Sequence, residues 1–173
     1  MFMKQRWFIF TLWFLIVTAV TVPVSFYLTP YAFMTGVRLV TDLKADENTM
    51  FHARVPDHTN DMVVMTSPDL LYSLCVYDLS DTDLLVESDV PDAYWSVSFF
   101  GADTMNYYST NDRKVATPAF RKIVTTDPTK TGPDYVLAPD TTGAVIIRIG
   151  FTPDTVDALR QVQLSGQCRP TSA

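Results

Sequence analysis

The sequence predicts a mainly β domain, a sandwich of short strands, carried by an N-terminal transmembrane helix and finished by a short C-terminal helix. Three observations point there. The composition favours strands and turns: 17 Asp stand against 2 Glu, beside 22 Thr and 11 Pro in 173 residues. Asp and Pro suit turns and Thr suits strands, whereas Glu would have favoured helices. No charge occurs between Arg6 and Arg38. Beyond Asn48, short apolar runs recur at intervals of about ten residues, broken by Pro and Asp, as in sandwiches and barrels. The length is that of one domain with an appendage. Apolar residues at 47% and aromatics at 13% supply a core and exclude a disordered chain. The net charge of −6 excludes a nucleic-acid binder that works through a basic surface.

The first element lies in the uncharged gap. Trp7 to Leu28 is apolar apart from Thr11, Thr18, Thr21, Ser25 and Pro23. As a helix it would be about 33 Å long, enough for a hydrocarbon core of about 30 Å. Trp7 at one end and Tyr27 and Tyr31 at the other sit where aromatic belts form. Residues 1–28 are thus expected to be a cytoplasmic tip and a signal anchor, with the bilayer as partner through residues 7–28. A cleaved signal peptide is the competing reading, with Lys4 and Arg6 as its charged region and Val17-Thr18-Ala19 as a permissible cleavage site. The apolar run from Val20 to Leu28, where a signal peptide turns polar, favours the anchor. Lys4, Arg6 and the terminal amine favour a cytoplasmic N-terminus, against which Arg38 and Lys44 count.

Residues 29–47 read as a juxtamembrane helix or spacer. Thr29-Pro30 has the form of an N-cap followed by proline at the first helical position, and Phe33, Val37 and Val40 fall at helical spacing. Residues 48–173 form the extracytoplasmic domain. Leu71–Asp78 is apolar on both faces and predicts a covered strand. Leu84–Glu87 is a second run. Tyr94–Phe100 alternates, with Trp95, Val97 and Phe99 on one face and Ser96 and Ser98 on the other. Tyr135–Ala138 follows, then Ala144–Phe151 with Val145, Ile147, Ile149 and Phe151 on one side. Thr152-Pro153-Asp154 opens a helix whose Val156 and Leu159 share a face, and 125–133 reads as a loop.

Two stretches carry a resemblance. They are Ser67-Pro-Asp-Leu-Leu-Tyr-Ser-Leu-Cys-Val-Tyr-Asp-Leu-Ser80 and Val90-Pro-Asp-Ala-Tyr-Trp-Ser-Val-Ser-Phe-Phe100, the second continuing to Thr104-Met-Asn-Tyr-Tyr108 and Asn111-Asp-Arg113. Over about residues 48–164 the chain resembles the bacterial domain-of-unknown-function 1254 family, in a short membrane-anchored form. The resemblance implies a jelly-roll type of β-sandwich and a second, partner domain in larger relatives. It implies no established activity and no catalytic residue. The expected address is the bacterial inner membrane, with a single pass, the N-terminus inside and the domain in the periplasm.

The chemistry legible in the residues is sparse. Cys75 and Cys168 are the only cysteines, and an oxidising address favours a disulfide between them over a buried and an exposed thiol. His52 and His58, near Asp57 and Asp61, have a spacing that fits no metal motif, so loop histidines are expected. Asp78, Asp81, Asp83, Asp89 and Asp92 lack the EF-hand pattern and read as solvated turn residues. Ser67, Ser73, Ser96 and Ser98 lie outside any Gly-x-Ser-x-Gly elbow, and glycine scarcity removes phosphate loops and dinucleotide fingerprints. No cofactor is expected. The remaining concentration of polar and aromatic groups is Asp69, Tyr72, Tyr94, Asn106, Tyr107, Tyr108, Asn111, Asp112 and Arg113. Of these, Asp69, Tyr72, Asn106, Asn111 and Arg113 are the expected recognition set, offering an aromatic face, directional amides and a forked donor. Turn caps, satisfied tyrosine hydroxyls and an Asp–Arg pair would account for the same residues. The functional expectation is a non-catalytic envelope binding module, with a separate protein as a possible partner. The alternative is an envelope hydrolase whose site the fold assembles.

Overall fold

The computed structural model describes residues 2–42, 46–56 and 67–171. Helix α1 (Phe2–Asp42) leads into two β-sheets, with Pro23 and Pro30 inside the helix. Its segment Arg6–Thr41 is long and apolar enough to cross a membrane, with a mean hydropathy of 2.1, and no residue of its most apolar 18-residue stretch is buried. The threonines in it do not interrupt the helix. Thr11, Thr21, Thr29 and Thr35 each donate their hydroxyl to the carbonyl four residues earlier, at 2.6–2.9 Å, which satisfies a polar group without water. The expected fresh start at Thr29-Pro30 does not occur: Thr29 bonds Ser25 instead of capping, and the helix runs through. Inside an apolar run, a second helix start would expose further unpaired backbone groups, whereas Pro30 removes one N–H donor.

Among the described residues there are nine strands, β1 (Phe51–His52), β2 (Leu70–Asp78), β3 (Leu84–Asp89), β4 (Trp95–Gly101), β5 (Asn106–Asn111), β6 (Ala119–Thr125), β7 (Tyr135–Leu137), β8 (Thr142–Gly150) and β9 (Gln167–Pro170), with helix α2 (Val156–Ser165) before the last. One sheet has the order β1-β2-β8-β4-β5 and the other β7-β6-β3-β9. All pairs are antiparallel except β6 with β7. This is the expected two-sheet sandwich with its two helices.

The core lies between the sheets. Leu71, Cys75 and Tyr77 of β2, Val145, Ile147 and Ile149 of β8, and Trp95, Val97 and Phe99 of β4 face Leu84, Val86, Phe120 and Val124. The alternation expected along β4 and β8 therefore sets the buried face. Trp95 packs on Phe120 at 5.3 Å across the sheets, and its indole N–H donates to Ser88 Oγ at 3.4 Å. Cys75 and Cys168 are joined in a disulfide, with Cα atoms 6.4 Å apart, which ties β2 of one sheet to β9 of the other. At Gly143 the carbonyl of Phe100 and the hydroxyl of Tyr77 occupy the space a Cβ would need, so glycine is required there for close approach.

The chain enters the sandwich at one end. Arg38 of α1 pairs with Glu47 and, at 3.0 Å, with Asp78 at the end of β2. Asn48 fixes the same corner: its Nδ2 donates to Asp78 O at 2.9 Å, and its Oδ1 accepts from Asp78 N at 3.0 Å. The start of β2 lies eight residues away, about 27 Å along the strand.

Candidate functional site

The far end of the sandwich holds an open cleft of about 710 Å3. Its construction follows from the register of three strands. Leu70 pairs with Gly150 and Ile149 with Trp95, so the start of β2, the end of β8 and the start of β4 finish level. Two backbone bonds continue the sheet past its last rungs: Phe151 N–H to Asp69 O at 3.0 Å, and Gly150 N–H to Tyr94 O at 2.8 Å. The chain then turns at Thr152, where the Thr155 hydroxyl accepts from Thr152 N–H at 2.9 Å, and α2 returns over the cleft. Leu70, Ala93, Phe151, Ala158 and Leu159 make an apolar lining, and Asp69, Asp92 and Thr152 stand among them. Tyr94 is 51% exposed and presents a ring at the rim. An apolar floor with two carboxylates suits a ligand with an apolar body and hydrogen-bond donors or positive charge.

The five residues singled out in the sequence do not converge there. Asp69 lines the cleft and accepts a hydrogen bond from Ser67 Oγ at 2.9 Å. Tyr72 stands nearby, but its hydroxyl accepts the Ser67 N–H at 3.1 Å and serves as a brace. Asn111, the last residue of β5, and Arg113 two residues beyond it reach the same end of the sandwich, three strands across from β2 and hence about 14 Å away. Asn106 starts β5 and pairs with Phe100, which places it at the opposite end, toward α1. The reason is topological: β5 runs antiparallel to β4, so residues that follow β4 in sequence are spread along the full length of the sheet. Asp69 and Arg113 form no ion pair among the described residues. The Asn111 Oδ1 is buried without a hydrogen-bond partner.

The acidic run divides in the same way. Asp92 joins the cleft, while Asp78 lies at the helix end, where hydrogen bonds from Ser80 and then Arg38 hold its carboxyl below the ordinary range. Asp83 pairs with Lys130 at 2.6 Å. Asp57, His58 and Asp61 fall outside the described residues.

One serine does meet a histidine. His52 and Ser73 are cross-strand partners, and His52 Nδ1 lies 2.9 Å from Ser73 Oγ. Ser73 is 1% exposed, and among the described residues the charged group acting on His52 is Arg160, a cation where a triad would place a carboxylate. Burial first, and Arg160 second, lower the His52 pKa. The pair belongs to a polar cluster under α2, in which buried Gln163 donates to Tyr72 O at 2.6 Å and Ala53 O at 3.1 Å, and Arg160 also bonds Ala53 O. These contacts fasten α2 to β2 and the chain after β1. A second polar pair, buried Tyr77 and half-buried Tyr107 with hydroxyls 2.8 Å apart, closes the core toward the helix end. Burial pushes Tyr77 up to about 12 and raises Tyr107 as well, so both stay neutral and act as hydrogen-bonding groups.

Tyr94, one of the polar and aromatic group of recognition candidates, does stand at the cleft, whereas sequence reasoning missed Phe151 and Leu159, having assigned them to a strand and a helix pattern. Their signal was weak: Phe151 ends an alternating run and Leu159 lies on a short helix, and only the level strand ends show that they face a cavity.

The arrangement defines a two-sheet β-sandwich domain joined to a long apolar helix, with a cleft at the end remote from that helix. The chain belongs to the family described as proteins of unknown function, DUF1254, whose model matches residues 47–170. Among solved structures it is similar to the VPA0106 protein from Vibrio parahaemolyticus, with a TM-score of 0.62 at 11% identity, over 86% of this chain and 37% of that one. It is also similar to an uncharacterised protein from Burkholderia cenocepacia, with a TM-score of 0.51 at 17% identity, over 84% of this chain and 40% of that one. At these identities the likeness is one of fold. The chain spans about two fifths of the length of either structure. Comparison with curated proteins finds no match.

Proposed function

We propose that this protein is a membrane-tethered binding module of the bacterial envelope, held by residues 7–28 with the N-terminus inside, that presents its remote cleft to a ligand bearing an apolar body and a positive or donor-rich group. The observation that carries the reading is the place of the cleft. It opens at the end of β2 opposite the Arg38–Asp78 contact, so a helix fixed in a bilayer would hold it outward. Residues 29–42 continue α1 past the anchor and would add about 21 Å of stalk. The disulfide supports an oxidising compartment. Asp69, with Asp92 and Tyr94, is the proposed recognition set, and a separate envelope protein is the proposed partner.

Two measurements test this. A reporter fused after Ala173 should be active outside the cytoplasm, and the N-terminus should be retained; cytoplasmic activity, or a mature chain starting near Val20, overturns the tether. For the cleft, phenethylammonium should raise the melting temperature of the full chain in lipid nanodiscs, while phenylacetate should not. Asp69→Asn with Asp92→Asn should remove the difference. Equal response to both probes, or none, overturns the cleft reading.

A further inference from the structure

The open edges of the two sheets are unequal. β1, β7 and β9 are edges of two, three and four residues, and β9 carries Arg169 and ends on Pro170. Shortness, charge and proline are among the means by which edges are kept from pairing with other chains, as are bulges. β5 has none of the first three. It is six residues long, Asn106-Tyr-Tyr-Ser-Thr-Asn111, with no charge and no proline, and is rich in residues that favour strands. The irregularity in its pairing with β4 falls near its start, so Tyr108–Asn111 pair in regular register. Asp112 N–H bonds Trp95 O at 3.0 Å. By the alternation of an antiparallel ladder, Thr110 and Tyr108 also turn their backbone groups toward β4, and Ser109 turns its N–H and C=O outward. Ser109 is exposed.

Cations gather beside this uncharged edge in a chain whose net charge is −6. Past Asp112, whose carboxylate accepts the Trp95 N–H at 3.4 Å, come Arg113 and Lys114, which are exposed and make no ion pair among the described residues. Lys114 and Lys122, with Tyr108, Thr110 and one carboxylate, Asp134, line a cleft of about 360 Å3 beside β5. Arg121 stands at the same cleft, with Glu87 as its partner at 3.2 Å.

We infer that β5 is an acceptor edge for an extended strand of a different protein, one that carries acidic residues where it passes Arg113 and Lys114. A second copy of this chain does not fit. Two β5 edges related by a two-fold axis pair antiparallel, which sends the two α1 helices to opposite ends of the joined sheet. Two copies tethered in one membrane cannot meet in that way. A foreign strand has no such constraint, and main-chain bonds supply its affinity while the neighbouring charges supply its selectivity. The inference rests on the reading of the domain as a binding module but uses a different surface from the remote cleft.

The test uses the full chain in nanodiscs and three labelled ten-residue peptides: alternating Thr and Val ending in two Asp, the same ending in two Lys, and the Asp form with a central Pro. The Asp peptide should bind at least tenfold more tightly than the Lys peptide, and the Pro form should not bind. Ser109→Pro should weaken binding at least tenfold. Arg113→Glu with Lys114→Glu, outside the strand, should reverse the charge preference and keeps the inference testable if the proline variant does not fold. Asp69→Asn should change nothing, which separates this edge from the cleft. Equal binding of Asp and Lys peptides, indifference to both variants, or dimerisation abolished by Ser109→Pro overturns the inference.

Discussion

Replacing both Cys75 and Cys168 by Ala removes the bridge between β2 and β9 and leaves no thiol to react. The two positions are 93 residues apart in sequence. In the chain-entropy account, freeing a loop of that length returns about 4.7 kcal/mol to the unfolded state, and measured losses for native bridges run about 2–5 kcal/mol. Both side chains are buried, so the alanines also lose a little packing. A sandwich of this size should melt roughly 10–20 °C lower. The loss should not be uniform. β9 pairs with β3 at four positions, and α2 leads directly into it, so hydrogen exchange should rise first in 156–170. Thermal melting in nanodiscs, with and without reductant, reads the first effect, and amide exchange the second. A melting temperature within about 3 °C of the parent, or two titratable thiols in the unreduced unfolded parent, would refute the reasoning.

Gly143→Ala sets a Cβ against the Phe100 carbonyl and the Tyr77 hydroxyl, both held by the core, and should cost at least about 2 kcal/mol, whereas Gly36→Ala in the open side of α1 should be neutral or stabilising by up to about 1 kcal/mol; paired melts decide. His52 has a pKa lowered by burial and by Arg160, so on acidification the unfolded chain takes up its proton before the folded one does. Its contribution to stability is whole above the ordinary histidine value, about 6.5, and is lost as pH falls through it toward the folded value. His52→Gln should therefore flatten the difference between melts at pH 7.5 and 5; an unchanged slope would show that His52 does not carry it.

Much of the sandwich can be read from single segments. β2, β3, β4, β7 and β8 each hold a run of apolar or alternating residues, and the core face of β4 and β8 follows from period two alone. The strands that escape are those whose partners make them strands. β6 has Arg121 and Lys122 at its centre, β9 is Gln-Cys-Arg-Pro, β1 is two residues long, and β5 has adjacent tyrosines that break alternation. Each is ordered by ladder bonds to a neighbour distant in sequence, as Phe51 is by Leu74 and Cys168 by Val86. The site divides similarly. Asp69 was visible as a polar residue at a strand entrance, but its company with Asp92, Tyr94 and Leu159 depends on three strands and a helix ending level.

The sequence alone determined the apolar helix, the strand-rich class and the buried faces, because each depends on hydrophobicity and periodicity within a few consecutive residues. It also showed that Cys75 and Cys168 are the two cysteines of these residues, so a bridge within them has one possible pairing. The tertiary structure alone decided that they meet, that α1 runs unbroken past Pro30, that the five candidate residues part company, and that a cleft stands at one end and an unguarded edge at β5. Those outcomes depend on which strands pair and in what register, and pairing is a long-range balance of packing and backbone hydrogen bonds that no local pattern encodes.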